Sequence, residues 1–261
     1  MKRLFTAIAF LTRAPLPARW RFDAVDVGRA TLLFPLVGAG LGAINAGALF
    51  ALAWNAPGAN GVAARQLWLP PTLTAVVLVT LGAWLTGALH LDGLADMADG
   101  FGGGHTREDV LRIMRDHVIG SYGAIALILL ISIKVATLGV LIERGAAAPY
   151  LILAPALGRW ATVPLGRFLP YARREGGGLG AAVTDHVGWY ELVGASVVAA
   201  TITLLAAGWR GVLCWLGVAA VTLFNARLCR RRIGGVTGDT LGANTEVCEA
   251  VVLTLAVALA R

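Results

Sequence analysis

Seven long apolar blocks dominate this 261-residue chain and restrict what it can fold into. A helix needs about 20 apolar residues to cross the roughly 30 Å hydrocarbon layer of a bilayer, and each block reaches most or all of that length. Because backbone polar groups inside lipid must be satisfied within the protein, we predict an all-α, polytopic integral membrane helix bundle. The predicted spans are residues 31–53, 70–90, 121–142, 149–169, 189–207, 211–228 and 244–260. The first span carries a Gly38-x-x-x-Gly42 pair, which suits close packing against another helix.

The distribution of charge supports about seven transmembrane spans. Only 14% of the residues are charged, whereas a soluble domain carries about a quarter. Most of the Lys and Arg residues fall on one side of the predicted spans, and the positive-inside rule assigns that side and the N-terminus to the cytoplasm. We therefore expect a multi-pass protein of the cytoplasmic (inner) membrane with its active site on the cytoplasmic face. Topology alone explains the net charge of +7, so nucleic acid is not expected as a partner.

The chain is expected to form a single transmembrane catalytic domain over residues 1–261. Its start, Met-Lys-Arg, precedes a short apolar run that Arg13 interrupts, and no clear signal-peptide cleavage site follows. Residues 1–29 are therefore predicted to be a retained N-terminal amphipathic segment.

An aspartate-rich segment, residues 89–100, directly follows the second block. It places Asp92, Asp96 and Asp99 at positions i, i+4 and i+7, within about 60° of one another on a helix. Carboxylates this close repel one another unless a cation lies between them, and hard oxygen ligands favour Mg²⁺. The spacing therefore predicts a Mg²⁺ site. The alternative interpretation is a solvated acidic helix end followed by a flexible glycine-rich loop.

A second segment, residues 112–123, contains groups suited to phosphate. Arg112 and Arg115 are three apart and share a helix face, where guanidinium groups can hold phosphate oxygens. Gly120 and Gly123 open the next span, whose N-terminal amides are suited to an anion. The alternative interpretation is positive-inside arginines with glycines that pack helices.

A third segment, residues 234–246, is glycine-rich and carries Asp239 and Glu246 seven positions apart. By itself it is equally an ordinary capped loop before a helix. Two cations, Lys134 and Arg159, lie inside predicted spans, where charged groups are usually paired or functional. Together, the carboxylates and arginines predicted on one membrane face favour phosphoryl or nucleotidyl transfer.

At these residues the chain closely resembles the cobalamin synthase family, the adenosylcobinamide-GDP ribazoletransferases. The long aspartate block is highly specific, the shorter matches are weak singly, and together they follow one order along nearly the whole chain. The matching segments are residues 12–17, 87–100, 113–116, 119–123, 158–160, 171–173 and 235–239.

The resemblance implies a Mg²⁺-dependent transferase of phosphorus-containing groups that acts late in cobalamin biosynthesis in a prokaryotic membrane. Such an enzyme joins adenosylcobinamide-GDP to α-ribazole or its 5′-phosphate, and it releases GMP with adenosylcobalamin or its 5′-phosphate. The lipid bilayer is a further expected partner. A homo-oligomer, or an association with other cobalamin-assembly enzymes, is also compatible with the sequence.

Residue roles follow as a hypothesis from the spacing and the resemblance together. A ribazole hydroxyl attacks the phosphorus nearer cobinamide, and GMP leaves. Asp99 is the first candidate for the carboxylate that accepts the hydroxyl proton. The predicted metal ligands are Asp92, Asp96, Asp99, Asp239 and Glu246. The predicted catalytic residues are Asp96, Asp99, Arg115 and Arg159. The predicted substrate-binding residues are His90, Arg112, Gly120, Gly123, Arg173, Thr237 and Gly238.

Two other classes of protein compete with this interpretation. A CDP-alcohol phosphotransferase also has a membrane-embedded aspartate site, but its usual Asp-x-x-Asp-Gly-x-x-Ala-Arg pattern does not match the aspartate segment. An ion-coupled transporter would use Lys134, Arg159 and the acids, but no internal repeat is evident and the acids are predicted at one face.

Overall fold

The computed structural model describes residues 2–14, 22–56, 64–173 and 179–259. The predicted all-α class is confirmed, with one addition: a short antiparallel hairpin of β1, Ala53–Ala56, and β2, Ala64–Leu67. The helices in these ranges are α1 Lys2–Leu11, α2 Ala24–Ala30, α3 Phe34–Ala51, α4 Pro71–Thr86, α5 Leu89–Gly103, α6 Arg107–Ile113, α7 Ser121–Glu143, α8 Ala147–Trp160, α9 Thr162–Phe168, α10 Leu179–Asp185, α11 Trp189–Ile233 and α12 Gly238–Leu259.

Several of these helices are long and apolar enough to cross a membrane, so the polytopic bundle is confirmed. Within the described ranges four stretches qualify, or five if α4 and α5 count as one bent span. The four are Ala24–Ala51, Ser121–Glu143, Trp189–Ile233 and Gly238–Leu259. The count of seven spans and the orientation of the N-terminus stay predictions.

The longest helix, α11, folds back on itself at Gly208. This glycine has φ 54° and ψ −137°, outside the helical region and accessible essentially only to glycine. Trp160 touches both sides of the fold: its indole Nε1 donates to Ser196 Oγ at 3.0 Å, and its ring meets the Trp215 ring edge-on at 5.1 Å between centroids. In a straight helix Ser196 and Trp215 would be about 28 Å apart.

The fold-back divides α11 into a first arm, residues 189–207, and a second arm, residues 209–233. The two arms coincide with two of the predicted spans, 189–207 and 211–228. The glycine lies in the gap that separates those two apolar blocks in the sequence.

Two other predicted spans are interrupted by their own residues. The span 149–169 forms two helices, α8 and α9, which meet at Ala161. Helix α8 also contains Pro155, whose backbone nitrogen carries no hydrogen to donate. The span 70–90 ends early because Gly87 and Ala88 have φ of 66° and 58°. As a result α5 leaves α4 at 91°, and the aspartate segment runs across the end of α4.

Helix α8 lies in the middle of the bundle, with α3, α11 and α12 packed around it. The predicted glycine pair makes the contact with α3 possible. A Cβ at Gly38 would lie 2.2 Å from the Pro155 carbonyl oxygen, and one at Gly42 would lie 2.2 Å from that of Leu151. The two backbones therefore touch directly, as small residues allow in membrane helices.

The segment predicted to be amphipathic, residues 1–29, includes α1 and most of α2. Ala7 and Leu11 of α1 are buried in the core. Asp23 caps α2 by accepting a hydrogen bond from the Asp26 amide at 2.7 Å. Part of the segment, residues 15–21, lies outside the described residues.

Candidate active site

Three chain segments meet at one end of the bundle. The loop after α9 forms a parallel bridge with the loop before α12, between Tyr171 and Val236. The Ala172 amide donates to the Val236 carbonyl at 2.8 Å. This bridge brings Arg173 to the first turn of α12, where its Nη2 lies 2.6 Å from Oδ2 of Asp239.

Close packing of α5 on α12 completes the arrangement. A Cβ at Gly93 would lie 2.8 Å from the Asp239 carbonyl oxygen, and one at Gly242 would lie 3.2 Å from the His90 Cα. The two helices therefore approach to backbone contact at these glycines. Asp92 and Asp96, which flank Gly93 on α5, are thereby brought to the same place as Asp239.

These residues line a charged cleft of about 780 Å³. This volume lies within the range of about 300–1,000 Å³ that small-molecule sites occupy. The lining of the cleft carries both signs of charge, which suits a phosphate ester that carries a cation. The charged side chains of its lining are Asp92, Asp96, Arg115, Asp116, Arg173 and Asp239.

A metal ion fits this cleft only together with a ligand. Among the described residues, no three His, Cys, Asp or Glu side chains converge closely enough to hold a metal ion. Mg²⁺ commonly uses one or two carboxylates and completes its shell with water and substrate phosphates. Asp92 and Asp96, one helical turn apart in the cleft, match that kind of site.

Asp99 does not line the cleft, and its roles as metal ligand and proton acceptor stay predictions. Its carboxylate accepts hydrogen bonds from the backbone amides of Gly120 at 2.7 Å and Gly123 at 2.8 Å, and the residue is only 8% exposed. Asp99 therefore caps the N-terminus of α7 and ties α5 to it. The two amides do bind an anion, but that anion is Asp99 and not a substrate phosphate.

Glu246 and Arg159 lie elsewhere too, in the interior of the bundle. Lys134 Nζ lies 2.5 Å from Glu246 Oε2 and 2.6 Å from Glu249 Oε2. Arg159 pairs with Oε1 of Glu249, and its Nη2 lies 3.4 Å from Nδ1 of His90. These groups border an internal cavity of about 80 Å³. Neither residue lines the charged cleft, and the metal role of Glu246 and the catalytic role of Arg159 stay predictions.

The remaining predicted residues divide between the site and its surroundings. Arg112 is largely exposed and pairs with Asp109 at 3.3 Å, away from the cleft lining. Hydrogen bonds from Thr106 and Arg112 hold the pKa of Asp109 below its usual value. Thr237 forms a reciprocal cap with Thr240 at the start of α12. His90 and Gly238 line a second, apolar pocket beside the cleft.

Three structural residues were missed by sequence reasoning. Glu249 was not singled out from the sequence, but α12 begins at Gly238, and Glu249 pairs with Arg159 inside the bundle. Arg107 donates to the Ile233 and Ala172 carbonyls at 2.8 and 2.7 Å. Arg232 donates to the Phe101 carbonyl at 2.7 Å. In the sequence, both arginines are explained by the positive-inside rule, so nothing marked them as structural. Glu246 and Glu249 are three residues apart, and this spacing indicates that they share a helix face.

Comparison with known proteins identifies the family to which the chain is similar. The sequence model described as cobalamin-5-phosphate synthase matches residues 3–257. The chain is 41% identical to the adenosylcobinamide-GDP ribazoletransferase of Syntrophobacter fumaroxidans over 254 residues, which cover 96% of each chain. It is 38% identical to the protein of the same name from Chlorobium phaeobacteroides, covering 100% of this chain and 99% of the relative. The Pseudomonas putida protein of that name is also 38% identical, over 99% and 100% of the two chains. No solved structure matches the chain.

Proposed function

This chain belongs to the cobalamin-5-phosphate synthase family, and from that premise we propose that it is an adenosylcobinamide-GDP ribazoletransferase. It joins adenosylcobinamide-GDP to α-ribazole or its 5′-phosphate and releases GMP. The observation that carries the proposal is the charged cleft, in which Asp92, Asp96 and Asp239 face Arg115 and Arg173 at one end of an apolar bundle.

Different residues of the cleft bind the phosphate oxygens and accept the proton during the transfer. A ribazole hydroxyl forms a new P–O bond to the phosphorus nearer cobinamide, and the bond from that phosphorus to the GMP oxygen breaks. Arg115 and Arg173 hold the phosphate oxygens, on which charge increases in the transition state. The hydroxyl proton passes to Asp239, a carboxylate of the cleft that is not assigned to the metal. We assign Asp99 a capping role instead, because both of its oxygens accept backbone amides and it does not line the cleft.

Asp92 and Asp96 are the residues that would hold Mg²⁺ against the substrate diphosphate. The bound ion would withdraw negative charge from the phosphate oxygens and from the departing GMP. The ion pair with Asp239 holds the guanidinium group of Arg173 in the lining of the same cleft. A conservative change to lysine there would lose the planar fork that suits phosphate.

The cleft is proposed to open on the cytoplasmic side of the inner membrane. Arg115 and Arg173 lie in it, and Arg107 and Arg232 form hydrogen bonds nearby, so this end of the bundle is rich in arginine. The positive-inside rule places such an end in the cytoplasm, where a nucleotide-activated substrate is made. A homo-oligomer or an association with other assembly enzymes remains a separate proposal.

The alternative transporter interpretation loses its main support in the structure. The two cations inside the bundle face two carboxylates, so the set Lys134, Arg159, Glu246 and Glu249 is neutral as a whole. The carboxylates of the cleft lie at one end of the bundle, which is the arrangement expected of an enzyme that takes substrates from one side.

The test is release of GMP from adenosylcobinamide-GDP and α-ribazole 5′-phosphate by membranes that contain the protein. Asp96→Asn should lower turnover at least about 100-fold, because it removes a charge that the transition state needs. A chelator should abolish turnover, and added Mg²⁺ should restore it. Asp109→Asn is the matched control, since this exposed acid lies outside the cleft. Near-normal turnover by Asp96→Asn at equal abundance would refute the assignment.

A further inference from the structure

A second, apolar pocket of about 200 Å³ adjoins the charged cleft. Phe10 of α1 and Phe34 of α3 form one wall, and Tyr171 forms another. The two phenylalanine rings are stacked, with 5.5 Å between centroids and 18° between planes. Phe34 is only 1% exposed, so the partly exposed rings of Phe10, which stacks on Phe34, and of Tyr171 provide the aromatic surface of the pocket. Aromatic surface favours a planar ring as the occupant.

The pocket and the cleft share a boundary. Asp92, Arg173 and Asp239 line both of them. A ligand with one apolar, planar part and one part that reacts at phosphorus would place the first in the pocket and the second at this boundary. α-Ribazole carries one planar base, and adenosylcobinamide-GDP carries two, adenine and guanine, both of which have several polar edge atoms. The pocket must be assigned to one of these bases.

Size and polarity favour the base of ribazole. A cavity of about 150 Å³ is enough to hold benzene, so this pocket has room for a larger ring system. Two polar side chains of its lining are already engaged: the Thr162 hydroxyl donates to the Arg159 carbonyl at 2.8 Å, and His90 Nδ1 faces Arg159. Guanine would bury several polar edge atoms there, each losing about 1–3 kcal/mol if it stays unpaired. Benzimidazole joined to ribose has a single free ring nitrogen to satisfy, so its burial leaves fewer polar atoms at risk.

We propose that this apolar pocket binds the benzimidazole base of α-ribazole and places its ribose at the boundary formed by Asp92, Arg173 and Asp239. The inference rests on the proposed function. The adenosylcobinamide-GDP substrate then occupies the larger charged cleft. Phe10, which is supported by the buried Phe34 ring, and Tyr171 select the base that is incorporated.

The test is direct binding to protein in lipid nanodiscs, which requires no turnover. Phe10→Leu removes one ring of the wall, and loss of a stacked aromatic contact predicts a Kd for α-ribazole 5′-phosphate raised about 3–10-fold. The Kd for GDP should not change. Phe168→Leu is the matched control, since this exposed phenylalanine packs on Trp189 outside the pocket. If Phe10→Leu does not fold, Tyr171→Leu tests the opposite wall with the same expectation.

Each outcome decides the assignment. Weaker binding of GDP with unchanged binding of α-ribazole 5′-phosphate would give the pocket to guanine and overturn the proposal. Unchanged binding of both ligands would show that the pocket is only a packing gap, which also overturns it. Failure of the unmodified protein to release GMP would instead refute the proposed function, and the binding measurement would still identify the occupant of the pocket.

Discussion

Glu249 lies between two cations in the interior of the bundle, in contact with both Lys134 and Arg159. Two carboxylates and two cations neutralise one another there, where unpaired charges are costly. Arg159 also faces His90, two residues before Asp92. The network therefore supports the helix that carries the cleft carboxylates, although it does not line the cleft itself.

Glu249→Gln should destabilise the protein strongly. The change leaves a net positive charge inside the bundle, and breaking a buried ion pair costs about 3–5 kcal/mol. The midpoint of thermal unfolding in detergent should fall clearly, whereas Asp109→Asn, which breaks the exposed pair with Arg112, should leave it nearly unchanged. Equal midpoints for the two variants would contradict the stabilising role of the network.

Asp99 and Asp96 should respond differently to the same substitution. Asp99→Asn keeps one acceptor oxygen but turns an NH₂ group toward the second amide, which should cost about 1–3 kcal/mol of stability. Because Asp99 is a cap, turnover per folded molecule should fall less than about tenfold, against the roughly 100-fold loss for Asp96→Asn. Rates and thermal midpoints measured together separate the two roles. A loss of rate as large as that of Asp96→Asn, with stability intact, would return Asp99 to the catalytic residues.

At the scale of the elements, glycines determine how closely the helices approach. Gly38 and Gly42 let α3 touch the backbone of α8, Gly93 and Gly242 let α5 cross α12, and Gly208 folds α11 back. The first two contacts bury small residues, and the fold-back uses a backbone conformation that other residues avoid. The position of the cleft thus depends on glycines that lie outside it.

Two glycines of α3 offer a matched test of this packing. A Cβ at Gly38 would lie 2.2 Å from the Pro155 carbonyl oxygen, whereas a Cβ at Gly40 would meet nothing within 4 Å. Gly38→Ala should therefore destabilise the protein by about 1–3 kcal/mol through overpacking. Gly40→Ala should be neutral or slightly stabilising, because alanine favours the helix. Thermal unfolding of both variants checks this, and an equal response would mean that α3 and α8 do not touch as described.

The whole molecule is an apolar helix bundle with its charged cleft at one end. The N-terminus of α7 lies at that end, where Asp99 caps it, and its C-terminus lies at the other. His105, in the loop between α5 and α6, is exposed near the cleft end, and Glu143 is exposed at the end of α7. The two positions therefore report on opposite faces of the membrane.

Cysteine labelling should establish the orientation. With His105→Cys, a membrane-impermeant maleimide should label inverted membrane vesicles and not intact cells, and with Glu143→Cys the reverse should hold. The three native cysteines, Cys214, Cys229 and Cys248, are all buried, so background labelling should be low. Labelling of both variants from the same side would contradict the predicted topology.

Local sequence was sufficient for the class of fold and for part of the cleft. A transmembrane helix is encoded in a window of about 20 residues, so the apolar blocks predicted the helices without knowledge of their neighbours. The gap between the predicted spans 189–207 and 211–228 also contains Gly208, where α11 folds back. Asp92 and Asp96 were found because helical spacing places them one turn apart on one helix.

Only the tertiary structure decided which charges meet. Asp99 faces amides 21 and 24 residues further on, and Lys134 finds its carboxylates 112 and 115 residues away. Such contacts depend on where two helices cross, and a helix turns each successive side chain by about 100°. The aspartate segment and the last helix therefore specified the types of charged residue, whereas their packing assigned Asp239 to the cleft, Asp99 to a cap and Glu246 to the interior.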